Sequence, residues 1–91
     1  MAKWYRVDEK KPRTRRVQSV GRLPGDVIYY RESDPILVYY YETWTKGMRI
    51  TRGYFSIDND GTEHWEAEGA FDGSTVTHWM RMPKPPKEDL Q

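Results

Sequence analysis

The 91-residue chain has no cysteine, only two histidines and no apolar stretch long enough to cross a bilayer. Each shortage removes a class of function. Without cysteine there is no disulfide scaffold, zinc finger, thiol nucleophile or iron-sulfur cluster. A membrane-spanning helix needs about 20 consecutive apolar residues, whereas the longest apolar run, residues 36–44, already contains Glu42. The opening Met1-Ala2-Lys3-Trp4-Tyr5-Arg6 leads into charges where a signal peptide would carry its apolar core, which predicts an intracellular protein. No segment shows a helical period, and no zinc-protease, nucleophile or oxyanion-loop motif is present. The expectation is a protein that is not an enzyme, with no catalytic residues, no metal and no cofactor.

What the chain does have is aromatic side chains: 4 Trp, 7 Tyr and 2 Phe. A domain of this length buries only about 60 to 65% of its unfolded surface, so its core must be densely filled. The aromatics supply that filling. Charge is unevenly spread: residues 1–22 hold eight basic side chains against Asp8 and Glu9, a local balance of +6 within a net +1. Asp58, Asp60, Glu63, Glu66, Glu68 and Asp72 then follow one another with no Lys or Arg between them. Lys10, Lys11, Arg13, Arg15 and Arg16 are the candidates for contacting a partner or a phosphate, because clustered cations raise the local potential where net charge does not. The plainer reading, favoured because the run is short and interrupted, is that arm and acidic hairpin neutralise each other, within one chain or across a dimer.

The predicted organisation is one domain over residues 1–91, with a basic segment (1–22), a sheet core (27–82) and a proline-rich tail (83–91). Residues 4–7 read as a short extended start, and Pro12 breaks any helix that would follow. Residues 13–19 have little apolar content and read as an exposed loop or irregular strand. Leu23-Pro24-Gly25-Asp26 is a turn, since Pro presets the first corner and Gly permits a positive φ at the next. Strands are expected at 27–30, 36–44, 48–57, 62–71 and 75–82, with turns at Thr45-Lys46-Gly47, Asp58-Asn59-Asp60-Gly61 and Asp72-Gly73-Ser74. Gly53 marks a candidate bulge. The fold class is therefore mainly β: a small antiparallel meander sheet of four or more strands with little helix. Pro83-Lys84-Pro85-Pro86 reads as polyproline II.

His64 and His78 would face each other if the last two strands paired around Asp72-Gly73-Ser74, giving a possible two-histidine metal site near Glu63 or Glu66. No third histidine accompanies them, so structural roles are favoured. Asp58-Asn59-Asp60-Gly61 has the look of a calcium loop, but position 67, where a bidentate Glu belongs, is Ala. It is a turn first. Tyrosines interleaved with Arg31, Arg49 and Arg52 also suit a platform for unpaired bases beside phosphate-binding cations. Consecutive residues of a strand point to opposite faces, so Tyr39, Tyr40 and Tyr41 cannot all enter one core. Tyr39, Tyr41, Trp44 and Tyr54 are the candidate aromatic surface.

The string Val76-Thr77-His78-Trp79-Met80-Arg81-Met82-Pro83-Lys84-Pro85-Pro86 resembles the Val-Thr-His-Trp-Met-x-Leu-Pro-x-Pro-Pro ending of the domain of unknown function 551 family, small proteins common in phages and prophages. The family's opening is similar to Trp4, Val7, Glu9 and Pro12, although residues 19–24 fit it equally; Ile36-Leu37-Val38-Tyr39 and Arg52-Gly53-Tyr54-Phe55 with His64-Trp65 are similar to its central strands. The region between Pro12 and Pro35 is longer than the family's usual connection. The resemblance implies a phage or prophage accessory protein in the bacterial host cytoplasm, with Trp4, His78 and Trp79 as determinants of the fold. It implies no reaction. Binding a host or phage protein, in one version as an inhibitor of a bacterial defence system, is the leading expectation. Single-stranded nucleic acid or nucleotide binding is the alternative, and a metal enzyme using His64 and His78 the third. The surplus of aromatic surface predicts a homodimer or larger oligomer, with no membrane partner.

Overall fold

A computed structural model describes residues 3–83, and the described chain is all β. The strands are β1 (Tyr5–Arg6), β2 (Thr14–Val20), β3 (Val27–Ser33), β4 (Ile36–Glu42), β5 (Gly47–Ile57), β6 (Glu63–Ala67) and β7 (Thr75–Arg81). All pairings are antiparallel and the sheet curls into half a barrel. From Lys84 onward, the polyproline reading lies outside the described residues.

Strands β2 and β3 form a hairpin closed at Leu23-Pro24-Gly25-Asp26, where the Asp26 N–H donates to the Leu23 carbonyl at 3.0 Å and Gly25 has φ +88°. That is a type II turn, with Pro at its first corner and Gly at the second. Residues 14–20 are a regular strand paired over its full length. Their apolar pattern is weak because the hairpin projects from the sheet and has no core beneath it: β3 meets β5 only at Arg31 and Glu32. The radius of gyration, 15.7 Å, exceeds the roughly 12 Å of a compact domain of this size.

Strands β3 and β4 are one extended segment bent at Asp34-Pro35. Glu32 faces Ser56 and Ile36 faces Gly53, so three residues, 33–35, stand opposite two, 54 and 55. This is a bulge, and proline has no N–H to lose there. The buried Ser33 hydroxyl repairs the ladder by accepting the Phe55 N–H at 2.9 Å and donating to the Asp34 carbonyl at 2.9 Å.

Strands β4, β5 and β6 are sequential neighbours. The last strand is not laid beside β6: β7 crosses back to pair with β4, giving the spatial order β7-β4-β5-β6 of a Greek key. The reason lies in the connection. Strand β6 ends at Ala67, Gly69 at φ +76° turns the chain out of the sheet, and Ala70 folds onto the core. At Thr77 a second bulge shifts the register between β7 and β4. The extra residue brings Val76 and Trp79, three apart, onto the same core. In an unbulged strand they would face opposite ways. Thr77 compensates for the break with its hydroxyl, which donates to the Tyr39 carbonyl at 3.2 Å.

The core is Ile36, Val38, Tyr40 and Trp79, with Tyr5, Val7, Trp65, Ala67, Ala70 and Val76 against it. Val38 is 0% and Trp79 1% exposed. The Tyr5 and Trp79 rings lie 5.0 Å apart and the Trp79 indole donates to the Lys10 carbonyl at 2.7 Å, which ties β1 and the segment after it down. Gly53 sits where β4, β5 and β6 meet, and a methyl group there would overlap the Glu66 carbonyl oxygen. The register shows no bulge at Gly53, so close approach explains this glycine. Gly53→Ala should therefore lose about 1 to 3 kcal/mol in urea unfolding; an unchanged midpoint would contradict the tight approach. Trp79→Phe strands the Lys10 carbonyl and should lose about 1 to 3 kcal/mol from that alone.

Candidate functional site

One face of the sheet is filled by the core and the other is not. On the outer face Arg6, His78, Tyr39 and Ile50 form a row across β1, β7, β4 and β5. Tyr41 and Met48 lie opposite each other farther along. Trp4 packs its ring 5.8 Å from Tyr39, and the His78 ring lies 5.8 Å from Tyr39 on edge. Trp4, Tyr39, Ile50 and His78 line an open cleft of about 320 Å³. Ile50 is 56% exposed, and Trp4, Tyr41 and Met48 are also at the surface. Strand alternation explains the arrangement: Tyr40 enters the core while Tyr39 and Tyr41 face out.

Tyr54 stands on the same face at its far end, opposite Glu66, and burial pushes its phenol up from the usual tyrosine range, helped by Glu66 and Glu32. Trp44 is elsewhere. It sits in the β4–β5 loop, 76% exposed, with its ring 5.7 Å from Phe71.

The five basic candidates do not form one patch. Lys11 pairs with Glu63 at 3.0 Å, so arm and acidic hairpin meet at one ion pair within the chain, while Arg15 pairs with Asp34 at the bend between β3 and β4. Lys10 lies over the Tyr5 ring at 4.6 Å. Arg13 lines a cleft of about 450 Å³ together with Arg81, Ile36 and Trp79. Arg16 lies over the Tyr29 ring at 4.0 Å and stands directly opposite Arg31. Arg31 belongs to the arginines interleaved with the tyrosines, and a hairpin closed at 23–26 pairs it with Arg16 by simple counting once residues 14–20 are read as strand.

His64 and His78 are separated by β4 and β5, about 14 Å across the sheet at the usual strand spacing, and by six residues along β5, about 20 Å, and do not share a site. His64 contacts Asp58 at 2.8 Å, and His78 contacts the Thr77 hydroxyl at 2.8 Å. Among the described residues no three His, Asp or Glu side chains gather as metal ligands. Asp58-Asn59-Asp60-Gly61 is a turn: the Gly61 N–H donates to the Asp58 carbonyl at 2.9 Å and Gly61 has φ +90°.

A family model described as protein of unknown function (DUF551) matches residues 22–87. The chain belongs to this family. The DUF551 match spans β3 to β7 and leaves β1 and all of β2 outside it. No curated protein and no solved structure matches the chain.

The Asp60 carboxylate accepts the Thr62 N–H at 2.9 Å, which holds its pKa below the usual range. A carboxylate depressed in the folded state adds stability above the unfolded value, about pH 3.9, that is lost as pH falls through the folded value. Asp60→Ala should therefore flatten the dependence of melting temperature on pH between about 5 and 2. Melts giving the same slope for both proteins would contradict this role.

Proposed function

We propose that the chain is a non-catalytic accessory protein, in a phage or prophage setting, that acts by docking the outer face of its sheet onto another protein surface. The carrying observation is the one-sidedness of the sheet: Trp4, Tyr41, Met48 and Ile50 are exposed on one face while the other holds the core. Stable domains are built from two packed layers, and this one brings a single sheet. Apolar surface of that kind, with Arg6 beside it, has the composition of binding hot spots. In the purified protein the occupant is a second copy, since two such faces packed about a two-fold axis supply the missing layer. Blocking a host defence protein would use the same face in the same way.

Size exclusion with light scattering at tens of micromolar tests the reading. The wild type should run larger than a monomer and remain so in moderate salt, because exposed ion pairs contribute only about 0 to 1 kcal/mol each. Ile50→Glu leaves the core untouched and should weaken self-association by about 30-fold or more. A monomeric wild type whose captured lysate proteins are the same as those of Ile50→Glu would overturn the outer-face reading.

A further inference from the structure

The projecting hairpin carries an arrangement that docking on the outer face does not use. Its face on the core side presents Arg16 and Arg31 directly opposite each other, followed toward the tip by Gln18 opposite Tyr29 and then Val20 opposite Val27. Like charges placed directly across a strand pair repel. Neither guanidinium has a carboxylate within ion-pair distance among the described residues. The acids nearby are committed or face away. In the same cross-strand row the next acid is Glu63, which Lys11 holds at 3.0 Å, and Glu32 points to the opposite face of the hairpin. Asp26 lies in the turn, where its carboxylate accepts the Leu23 N–H at 3.3 Å.

Both guanidinium groups are held in place. Arg31 donates through Nε to the Thr14 hydroxyl and through an Nη to the Thr14 carbonyl, each at 2.9 Å, which leaves its other Nη donors free for an outside acceptor. Arg16 lies over the Tyr29 ring at 4.0 Å. The exposed planes of Arg16 and Tyr29 can take a further flat ring, since guanidinium and phenol groups both stack on bases. Two residues along a strand span about 6.6 Å, so the anion donors and the stacking plane are separated by about the reach of one nucleotide.

We propose that Arg16, Arg31 and Tyr29 form a site for a phosphate joined to a base, as found in single-stranded nucleic acid: the phosphate bridges the two arginines and its base stacks on the Arg16–Tyr29 pair. Gln18, opposite Tyr29, is placed to meet the edge of that base. Arg13 and Arg81 line the cleft at the foot of the hairpin, together with Asp34, whose carboxylate Arg15 pairs, and extend the site toward the next phosphate. The site lies on the opposite face from the docking surface, so either can fail without the other.

The test is fluorescence anisotropy of a labelled twelve-residue oligothymidine and of labelled AMP, titrated with the full chain from low to moderate salt. The oligonucleotide should bind, and Arg31→Gln or Arg16→Gln should each weaken it by about tenfold or more, as expected for losing a charge-assisted hydrogen bond. Each substitution should also reduce the slope of log affinity against log salt, by about 0.7 if it frees one phosphate. Lys46→Gln, in the β4–β5 loop, should leave affinity unchanged. AMP binding lost in the same variants would support the site with a free nucleotide as its occupant. No binding of either probe at low salt, binding that both arginine variants retain, or tighter binding of a polyglutamate peptide than of the oligonucleotide would overturn the proposal. Circular dichroism of each variant confirms that the sheet is intact.

Discussion

The indole of Trp79 lies between its cross-strand neighbours Val38 and Tyr5, and its N–H donates to the Lys10 carbonyl at 2.7 Å. Burying a ring of that size removes about 150 to 250 Å² from water, an upper limit of roughly 4 to 6 kcal/mol. A domain of this length has a net stability of only about 5 to 14 kcal/mol. Four stretches of chain depend on the one ring: β7 carries it, β4 and β1 pair with β7 on either side, and the segment through Lys10 accepts its hydrogen bond. The bulge at Thr77 belongs to the same arrangement, because it turns Val76 toward the core that Trp79 occupies.

A core gathered at one ring leaves consequences for the rest of the sheet. The curl closes over the inner face, with Ala70 and Val7 helping to cover it, while Tyr39, Tyr41 and Ile50 are left on the other side. The β2–β3 hairpin extends past the edge of this core, with Val20 82% and Leu23 66% exposed near its tip. An isolated two-stranded ribbon is marginally stable in water. The turn at Pro24-Gly25 and the Arg31–Thr14 bonds reinforce its ladder, and its surface is correspondingly available for contacts.

Much of this was legible where chemistry is local. Pro24-Gly25 and Asp60-Gly61 announce turns because few other residues accept those dihedral angles, and the β-branched and aromatic run from Ile36 announces the central strand. The alternation of Tyr39, Tyr40 and Tyr41 between faces follows from strand geometry alone. What was not legible depends on contacts distant in sequence. Residues 14–20 lack an apolar pattern since no core lies under them, yet they form a strand. Nothing local in residues 62–71 shows that β6 stops at Ala67 and that β7 crosses to β4, which places His78 beside Tyr39 instead of His64. A bulge at Thr77 is needed before Val76 and Trp79 can share a core, and the pairing of Arg16 with Arg31 needs the hairpin register.

The dependence of the fold on Trp79 is most directly examined by hydrogen exchange of the four indole N–H groups, followed by nuclear magnetic resonance on the intact chain. Trp79 should exchange only when the whole sheet opens, as slowly as the Val38 amide in the strand paired beside it. Trp44, in its loop, should exchange fastest. A Trp79 indole that exchanges as quickly as that of Trp44 would contradict the account.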